Sequence, residues 1–468
     1  MFSWLFKKTK TGLPSDYKKY LDPDAVAIVE QLKKSGFEAY LVGGCVRDVL
    51  LKKKPKDFDI ATQATPQQVK ALIKRCFIIG RRFRIVVAKR NWKSSEIVSP
   101  EHGLFPLLDS ASEKEFQITT FRRDPVVLNG VTNENVFGSA QEDALRRDFT
   151  LNALFLDPVQ GRIVDFVGGL PDLNRKILKI IGNPVTRIEE DPIRILRALR
   201  FVARAELKLE AATSAAIVEG IPLLAAAKKE RVREEVLKCL REGSAEKVFR
   251  EFEKFNIWNQ ISPALHDHLE ATKGAWERLF KMCERTHATR WTHPRDASPL
   301  IFLLLQDFLG VTGQGNKAEG KGDQLEKILE DLKVSKAERE QMDRIRVFLN
   351  RIAKDPDARQ AQKSLSNDPR HLMSLIPNFY VLKVLADMGY APYAKIWSAW
   401  ERPWKEKISG ASDSLRRQIS TTSRASGARR APRRRSSAPR RAGATAATAS
   451  AKGPLPSGGS GSTGGDGN

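Results

Sequence analysis

The chain has 468 residues, of which 41% are hydrophobic, with a formal net charge of +24 and a sequence pI of about 9.9. Such a length predicts more than one domain, and such a charge favours a polyanionic partner, either nucleic acid or an anionic membrane surface. The four cysteines lie far apart without CxxC spacing, which excludes a disulfide scaffold and a cysteine zinc site and indicates a reduced cytoplasmic protein.

The first part of the chain has a mixed α/β pattern. The apolar start MFSWLFKKTK is too short for a signal peptide or a membrane span. PDAVAIVEQLKKSG predicts a helix that stops at Gly36, and EAYLVGG predicts a strand that runs into a glycine turn. DFDIAT predicts a second short strand, and TPQQVKALIKRC a helix capped by Thr65 with Pro66 at its first position. GRRFRIVVAKR and EFQITTFRRD alternate like strands.

The pattern changes to helical periodicity from Asn174 onward. From residue 411 the composition changes again, to ten Arg, one Lys and two Asp with almost no large apolar residues. Such a segment cannot offset its ordering entropy by burial, so we predict disorder there. We therefore divide the chain into an extension at 1–25, a mixed α/β domain at 26–172, helical regions at 173–260 and 261–410, and a basic tail at 411–468.

The first candidate site is the acidic pair in KDFDI. On a strand, Asp57 and Asp59 share one face while Phe58 points into a core. Two such carboxylates can hold two magnesium ions about 3.5–4 Å apart, which clamp the attacking and leaving oxygens in phosphoryl transfer. A solvated acidic turn is the plainer interpretation of an isolated pair of this kind.

Glycine and arginine residues flank this acidic pair. Gly43 and Gly44 allow backbone amides to approach a phosphate, and Arg47, one turn into the following helix, can point at the same phosphates. The segment RRDFTLNAL adds Arg147, which can meet a triphosphate, and Asp148, which can complete the acidic cluster. A tight turn with a surface arginine explains the glycines equally well, but not the acidic pair that follows so soon.

The segment EEDPIRILRALRF predicts a base-reading pocket. An Asp and an Arg side by side can accept from an amino group and donate to a ring nitrogen. Asp191 with Arg194 would therefore accept adenine and cytosine and reject guanine and uracil, with Glu190 holding the arginine. Arg197 and Arg200 continue along one helical arc, which in most helices is a solvated basic face.

Several of these segments, in this order, closely resemble one family. LVGGCVRDVLLKKKPKDFDIAT, RRDFTLNAL, IVDFVGGLPDL and IIGNPVTRIEEDPIRILRALRFVAR resemble the class II tRNA nucleotidyltransferases and bacterial poly(A) polymerases from about Tyr40 to Leu240. The resemblance implies an α+β fold, with a nucleotidyltransferase palm (a mixed sheet with helices) at 26–172. It also implies a helical nucleotide-recognition or neck domain at 173–260 and a helical RNA-binding region at 261–410. The all-helical region is followed by the disordered basic tail.

The resemblance also implies residue roles and partners. Asp57, Asp59 and Asp148 would be catalytic, and Asp57 and Asp59 would hold Mg²⁺. The implied nucleotide-binding residues are Gly43, Gly44, Arg47, Arg147, Glu190, Asp191, Arg194, Arg197 and Arg200. The implied reaction is untemplated addition of AMP from ATP to RNA 3′ ends, in mRNA polyadenylation and RNA turnover. We expect a cytoplasmic monomer that acts on RNA, with no DNA partner and no membrane association.

Two features favour the poly(A) polymerase branch over the CCA-adding branch. IIGRRFRI, Ile78 to Ile85, resembles the segment typical of bacterial poly(A) polymerases. A basic disordered tail adds sequence-independent RNA affinity, which suits an enzyme acting on many transcripts. The Asp–Arg pocket accepts both adenine and cytosine, so a CCA-adding enzyme stays the alternative. A catalytically silent RNA-binding protein is the third hypothesis, disfavoured because an acidic cluster repels RNA.

The chain departs from the family pattern at one position. Before TTFR the family has Glu, whereas this chain has Gln117, with Glu115 on the same strand face. Either Glu115 replaces the missing carboxylate or that carboxylate is dispensable. The segment 91–115 is also longer than the usual hairpin.

Overall fold

A mixed sheet with flanking helices forms the first part of the fold, and helices form nearly all of the rest. The computed structural model describes residues 13–80, 84–91, 113–123, 126–128, 131–133, 136–289, 291, 296–311, 321–354 and 369–407. All of them belong to one unit, Met1–Leu415. The tail at 411–468, the first 12 residues, and 92–112 of the long hairpin segment lie outside the described residues.

Seven strands form the main sheet, in the order β3-β4-β5-β2-β1-β8-β9. All neighbours are antiparallel except β2 and β5, which are parallel. Two small sheets pair β6 with β7 and β10 with β11. The strands are β1 Ala39–Val42, β2 Asp59–Thr62, β3 Cys76–Ile79, β4 Ile85–Asn91, β5 Glu113–Thr120, β6 Val126–Leu128, β7 Val131–Asn133, β8 Leu154–Asp157, β9 Arg162–Asp165, β10 Ile177–Leu178 and β11 Lys208–Leu209.

The predicted helical character after Asn174 is confirmed, with one exception. The strands β10 and β11, of two residues each, form a parallel pair within this helical region. The helices are α1 Pro23–Lys34, α2 Gly44–Leu50, α3 Pro66–Leu72, α4 Ala140–Leu145, α5 Gly169–Asn174, α6 Pro184–Glu190, α7 Ile193–Ala205, α8 Ala211–Gly220, α9 Lys229–Arg241, α10 Ala245–Lys254, α11 Ile257–Ile261, α12 Pro263–Ala271, α13 Ala275–Thr289, α14 Ser298–Leu304, α15 Lys321–Asp331, α16 Lys336–Lys354 and α17 Pro369–Asp387. Residues 391–407 are also helical. None of the helices in the described ranges combines the length and apolar character needed to span a membrane.

The cap of α3 is as predicted, but its end is not. Thr65 accepts from the backbone N–H of Gln68, whose side chain accepts in return from the Thr65 backbone, and Pro66 is the first helical residue. This capping box satisfies amides that have no partner within the helix. The helix ends at Leu72 rather than near Cys76, because Arg75 turns the chain with φ of +57° and Cys76 begins β3. The prediction that the helix reaches Cys76 is wrong, since pairing of β3 with β4 outweighs helix propensity there.

A break separates two helices within the predicted EEDPIRILRALRF helix. α6 ends at Glu190 and α7 begins at Ile193, with Asp191 in a non-helical conformation between them, at φ −154° and ψ 89°. Pro192 has no N–H to donate and disfavours helical geometry at the residue before it. The break places Asp191 outside both helices, next to the arginines of α7.

The core is continuous on one face of the sheet and into the helices. A second, smaller cluster on the other face contains Tyr40, Val42, Ala61 and Phe155. All four residues of β1 are buried because the strand is covered on both faces. Strand β1 is therefore held between two packed layers next to β2.

The tryptophans of residues 391–407 are core residues, as their helical spacing indicates. Trp397, Trp400 and Trp404 are 5%, 3% and 0% exposed. The ring of Trp404 stacks on Phe379 of α17, with ring centroids 3.8 Å apart. These indoles therefore hold the C-terminal helices together and are not presented to bases.

We expect Trp404→Ala to lower the free energy of unfolding by about 3–5 kcal/mol, because it empties a fully buried ring site. Trp404→Phe should cost far less, since it keeps a ring against Phe379 and removes an indole N–H to which the described residues offer no hydrogen-bond partner. Urea denaturation of the two variants measures the difference. An alanine variant as stable as the unsubstituted protein would contradict this packing.

Candidate active site

Asp57 and Asp59 lie on the same face at the start of β2, as predicted. Phe58 between them is 8% exposed and belongs to the main core, while both aspartates are exposed. Asp59 pairs in register with Val42 of β1 and with Gln117 of β5. Two carboxylates therefore project from the middle of the sheet, between two neighbouring strands.

The surroundings of this pair favour a bound cation. Partial removal of water by the surrounding protein raises the pKa of both groups, and the charge of Asp57 raises the pKa of Asp59 further. Within the described ranges neither carboxylate forms an ion pair or hydrogen bond. Two exposed oxygen ligands that repel each other fit Mg²⁺, so Asp57 and Asp59 are the residues that would hold it.

Asp148 does not join the pair. Its Oδ1 accepts from the backbone N–H of Phe149 at 2.8 Å and from Asn152 Nδ2 at 3.2 Å, while its Oδ2 accepts from Arg197 Nε at 2.9 Å and also from Nη2. Within the described residues no group of three or more His, Cys, Asp or Glu side chains could hold a metal ion. The predicted three-carboxylate cluster is thus not formed, because Arg197 takes the third carboxylate.

The electrostatics of Asp148 are opposite to those of the exposed pair. Burial acts against its charged form, but the charge of Arg197 and the hydrogen bonds outweigh burial and hold its pKa below the usual range. Arg197 lies on α7 and Asp148 lies between α4 and β8. This ion pair therefore joins the sheet domain to the first helices after it.

The position opposite Asp59 is neutral. Parallel pairing places Gln117 beside Asp59, with both residues exposed on the same face. Glu115 instead pairs with Lys89 of β4, with Nζ 3.2 Å from Oε1. Glu115 therefore has a cationic partner of its own and stands two residues away from the register of Asp59.

The glycine turn brings Arg147 to the acidic pair. Gly43 has φ of +73°, and a Cβ on it would lie 3.4 Å from Arg147 Nη1. The Arg147 guanidinium donates to Asp143 Oδ2 at 2.9 Å and to the carbonyl of Asn152 at 3.3 Å. Its charge also acts to lower the pKa of Asp59. One guanidinium is thus next to the glycine turn and within electrostatic reach of Asp59, where an anionic ligand would be attracted.

Arg47 is buried rather than directed outward. It is 2% exposed, and its guanidinium donates to Asp48 Oδ1 at 2.8 Å and 3.0 Å and to Asn152 Oδ1 at 3.0 Å. Arg204 of α7 donates to the other oxygen of Asp48 at 3.3 Å. Arg47 therefore stabilises the glycine turn through buried hydrogen bonds to Asp48 and Asn152.

The arginines of α7 have different partners. Arg200 is 4% exposed and donates from Nε to Glu235 at 3.0 Å and from Nη1 to Glu242 at 2.8 Å. Arg197 also contacts Glu235, at 3.5 Å. The predicted basic arc of α7 is thus not a solvated basic face. Glu235 of α9 and Glu242, which follows α9, neutralise Arg197 and Arg200.

Asp191 and Arg194, the predicted base-reading pair, each have another hydrogen-bond partner. The Asp191 carboxylate accepts from Nη1 and Nη2 of Arg231 on α9, at 2.7 Å and 2.8 Å. Arg194 donates to the carbonyl of Arg187 and lies 3.6 Å from Glu190. The contact expected between Glu190 and Arg194 is present, but Asp191 and Arg194 do not present a joint hydrogen-bonding edge.

Four supporting residues escaped the sequence analysis: Asp48, Asn152, Arg231 and Glu235. Arg231 and Glu235 lie in ERVREEVLKCL, within the predicted helical region at 173–260, and stand four residues apart, which places them on one helix face. That spacing was the available signal, but it does not identify the partner element. Asn152 follows Asp148 by four residues and had no pattern to mark it.

Comparison with known proteins gives two family matches. Residues 39–179 match a family described as the Poly A polymerase head domain. Residues 206–269 match one described as the probable RNA and SrmB-binding site of polymerase A. The first match contains Asp57, Asp59, Arg147 and Asp148, and the second contains Arg231 and Glu235.

The curated relatives include poly(A) polymerases and CCA-adding enzymes, and the solved structures include a CCA-adding enzyme. The chain is 38% identical over 253 residues to poly(A) polymerase I of Haemophilus influenzae, covering 54% of this chain and 53% of that protein. It is 36% identical over 232 residues to a CCA-adding enzyme of Enterococcus faecalis, covering 49% and 50%. The matches thus span about half the length of these relatives. The Bacillus stearothermophilus CCA-adding enzyme in complex with CTP is similar in structure, with a TM-score of 0.52 and 26% identity over 84% of each chain.

We expect Asp57→Asn to raise the melting temperature at pH 7 in metal-free buffer. The folded-state pKa of Asp57 is above its unfolded value, so the free energy of unfolding falls as the pH rises from the unfolded to the folded pKa. At pH 7 the ionised carboxylate therefore destabilises the fold, and an uncharged amide removes that cost. The same variant should lose most of the stabilisation that millimolar Mg²⁺ gives the unsubstituted protein. Scanning calorimetry with and without Mg²⁺ measures both effects.

Asp267→Asn is the matched control, since it makes the same chemical change at an exposed position of α12. It should leave the melting temperature and its response to Mg²⁺ almost unchanged. A full Mg²⁺ response in Asp57→Asn would contradict the assignment of this carboxylate to a metal.

We expect Asp148→Asn to lower the free energy of unfolding by about 2 kcal/mol at pH 7, because it leaves Arg197 facing an amide N–H₂ in a partly buried site. The contribution of the ionised carboxylate is present above its unfolded pKa and is lost as the pH falls through its depressed folded pKa. The difference between the two proteins should therefore stay constant from about pH 5 to 8 and shrink below about pH 4.

Urea denaturation across that pH range gives the measurement. The double variant Asp148→Asn, Arg197→Met tests the pairing, since its loss should be smaller than the sum of the two single losses. Strictly additive losses would show that the two side chains do not stabilise each other.

Proposed function

Because the chain belongs, over residues 39–179 and 206–269, to the family of class II tRNA nucleotidyltransferases and bacterial poly(A) polymerases, we propose that it is a template-independent polynucleotide adenylyltransferase. It adds AMP from ATP to RNA 3′ ends, in mRNA polyadenylation and RNA turnover. The observation that carries the proposal is the exposed pair Asp57 and Asp59, held on one strand face beside Arg147 and the glycine turn.

The reaction is phosphoryl transfer without a covalent enzyme intermediate. The RNA 3′-hydroxyl oxygen bonds to the α-phosphorus of ATP, the bond to the β-phosphate oxygen breaks, pyrophosphate leaves, and the hydroxyl proton passes to solvent. Bound Mg²⁺ would supply charge neutralisation and activation of the hydroxyl. Asp57 and Asp59 would hold it, while Arg147 and the amide of Gly44 would receive the triphosphate. Gly43 forms the turn, since its own N–H donates to the carbonyl of Leu154 at 3.3 Å.

The remaining predicted residues act around that centre. Arg47 fixes the turn from beneath, through Asp48 and Asn152. Asp148 positions Arg197 at the pocket through two hydrogen bonds. Arg200 contributes to the nucleotide pocket by anchoring α7 on α9, since it is buried against Glu235. Placement of reacting groups is the main contribution of such supports to catalysis.

Base selection falls to Glu190, Asp191 and Arg194. A carboxylate that accepts from an amino group and a guanidinium that donates to a ring nitrogen match both adenine and cytosine. Preference for ATP therefore comes from outside this pair. The similarity to poly(A) polymerase I, the segment at 78–85 and the basic tail favour ATP alone, although 81–83 and the tail lie outside the described residues.

The second candidate is a CCA-adding tRNA nucleotidyltransferase. The similarity in structure to the Bacillus stearothermophilus CCA-adding enzyme, over 84% of this chain, favours it. The chemistry and the two carboxylates would be the same, and only the use of CTP and the RNA substrate would differ. In either case we place the protein in the cytoplasm as a monomer whose basic charge meets RNA rather than DNA or a membrane.

An incorporation assay separates the candidates. The protein receives Mg²⁺ and either a generic RNA ending in adenosine or a tRNA lacking its 3′ end, each with labelled ATP or CTP. We expect long ATP-dependent extension of the generic RNA with little use of CTP. Short additions to the tRNA that need both nucleotides would instead identify a CCA-adding enzyme.

The variant Asp57→Ala should lose at least roughly 10²-fold in rate, the scale for removing one group that stabilises transition-state charge. Asp267→Ala serves as the control of unchanged rate. No incorporation by the unsubstituted protein on either RNA would indicate a catalytically silent RNA-binding protein.

A further inference from the structure

The carboxylate proposed to read the base already has a complete partner. Both terminal nitrogens of Arg231 donate to Asp191, at 2.7 Å to Oδ1 and 2.8 Å to Oδ2. This is the two-pronged geometry in which a guanidinium binds a carboxylate most strongly. The backbone N–H of Ile193 also donates to Oδ1, at 3.3 Å. A base amino group that reaches this carboxylate therefore competes with Arg231 for its remaining acceptor positions.

The neighbouring Arg194 has other hydrogen-bond partners at the same time. Arg194 donates to the backbone carbonyl of Arg187 and lies near Glu190. Burial and the nearby charge of Arg187 lower the pKa of Arg194, but the guanidinium remains a cation with donors to offer. The two residues that would form one recognition edge are thus each engaged with a different partner.

Arg231 can leave Asp191 without displacing the helix that carries it. α9 is fixed by Glu235, which is 3% exposed and accepts from Arg200 at 3.0 Å, and by its buried side chains Val232, Val236 and Leu240. Arg231 lies near the start of α9, and its side chain is 48% exposed. A long exposed side chain on a fixed helix can change rotamer at small cost.

We propose that Arg231 gates the nucleotide site by competing with the base for Asp191. The inference rests on the proposed function and concerns its regulation. A nucleoside triphosphate whose base carries an exocyclic amino group can donate to Asp191 and displace Arg231. A base with a carbonyl at that position offers no donor there and leaves the ion pair closed. Each ATP or CTP that enters must therefore open one exposed ion pair.

The gate predicts a base-dependent gain of affinity when Arg231 is removed. An exposed ion pair stabilises by up to about 1 kcal/mol, so Arg231→Ala should bind ATP and CTP about three- to fivefold more tightly. UTP binding should stay the same, because UTP does not displace Arg231. Arg231→Lys keeps the charge without the fork and should give an intermediate affinity for ATP.

Isothermal titration with ATP, CTP and UTP, each with Mg²⁺ and without RNA, tests the gate. Lys229→Ala is the matched control, because Lys229 lies two residues earlier on α9 and pairs with Asp331 at 2.7 Å instead. The control should leave all three affinities unchanged. Melting temperatures of the variants show that each is folded.

Two results would contradict the proposal that Arg231 competes with the base, and each would assign Arg231 a different role. Equal weakening of all three nucleotides in Arg231→Ala would make Arg231 a general attractor of the triphosphate. Weaker or unchanged binding of ATP, with UTP unaffected, would show that Arg231 does not compete for Asp191. Failure of the unsubstituted protein to bind ATP and CTP at all would instead overturn the proposed function.

Discussion

The arginines of α7 hold the described site together by pairing in two directions. Arg197 and Arg204 reach back to Asp148 and Asp48 of the sheet domain, and Arg197 and Arg200 reach across to Glu235 of α9. The pair of Arg200 and Glu235 is buried and the others are partly buried. Such pairs are costly to break, since a single lost partner leaves an uncompensated charge. The orientation of α7 relative to the sheet is therefore specified by charge as well as by apolar packing.

This division of charge leaves the two exposed aspartates available. Every other acidic side chain named in the site has an arginine or lysine partner: Asp48, Glu115, Asp143, Asp148, Glu190, Asp191, Glu235 and Glu242. Asp57 and Asp59 alone among the site's described carboxylates lack one, and their pKa values are raised, whereas that of Asp148 is lowered. The fold thus leaves two like charges together at a cost in stability, and groups with perturbed pKa values of this kind are concentrated at functional sites.

The neutral neighbour of Asp59 limits that cost. A carboxylate in the place of Gln117 would add a third like charge in register with Asp59, where opposed like charges destabilise a sheet. Glu115 does not restore the charge, because Lys89 neutralises it. The departure at Gln117 therefore produces a two-carboxylate centre, and Mg²⁺ commonly binds proteins through one or two carboxylates together with substrate phosphates.

The sequence by itself determined the local features whose causes are local. The alternation in DFDI places two aspartates opposite Phe58, the Thr65–Gln68 pattern caps α3, and the helical spacing of three tryptophans buries them. Each of these follows from the period of one element or from neighbours in the chain. The order of the motifs likewise predicted the resemblance that the family matches at residues 39–179 and 206–269 support.

Only the tertiary structure decided which charges meet. Asp148 and Arg197 are 49 residues apart, and Asp191 and Arg231 are 40 apart, so no local period relates them. An arginine on a predicted helix has several carboxylates it could reach, and the choice depends on how α7 and α9 cross the sheet domain. For that reason the sequence predicted Asp148 beside Asp59 and Asp191 beside Arg194, whereas packing of the helices gave both aspartates an arginine partner from elsewhere in the chain.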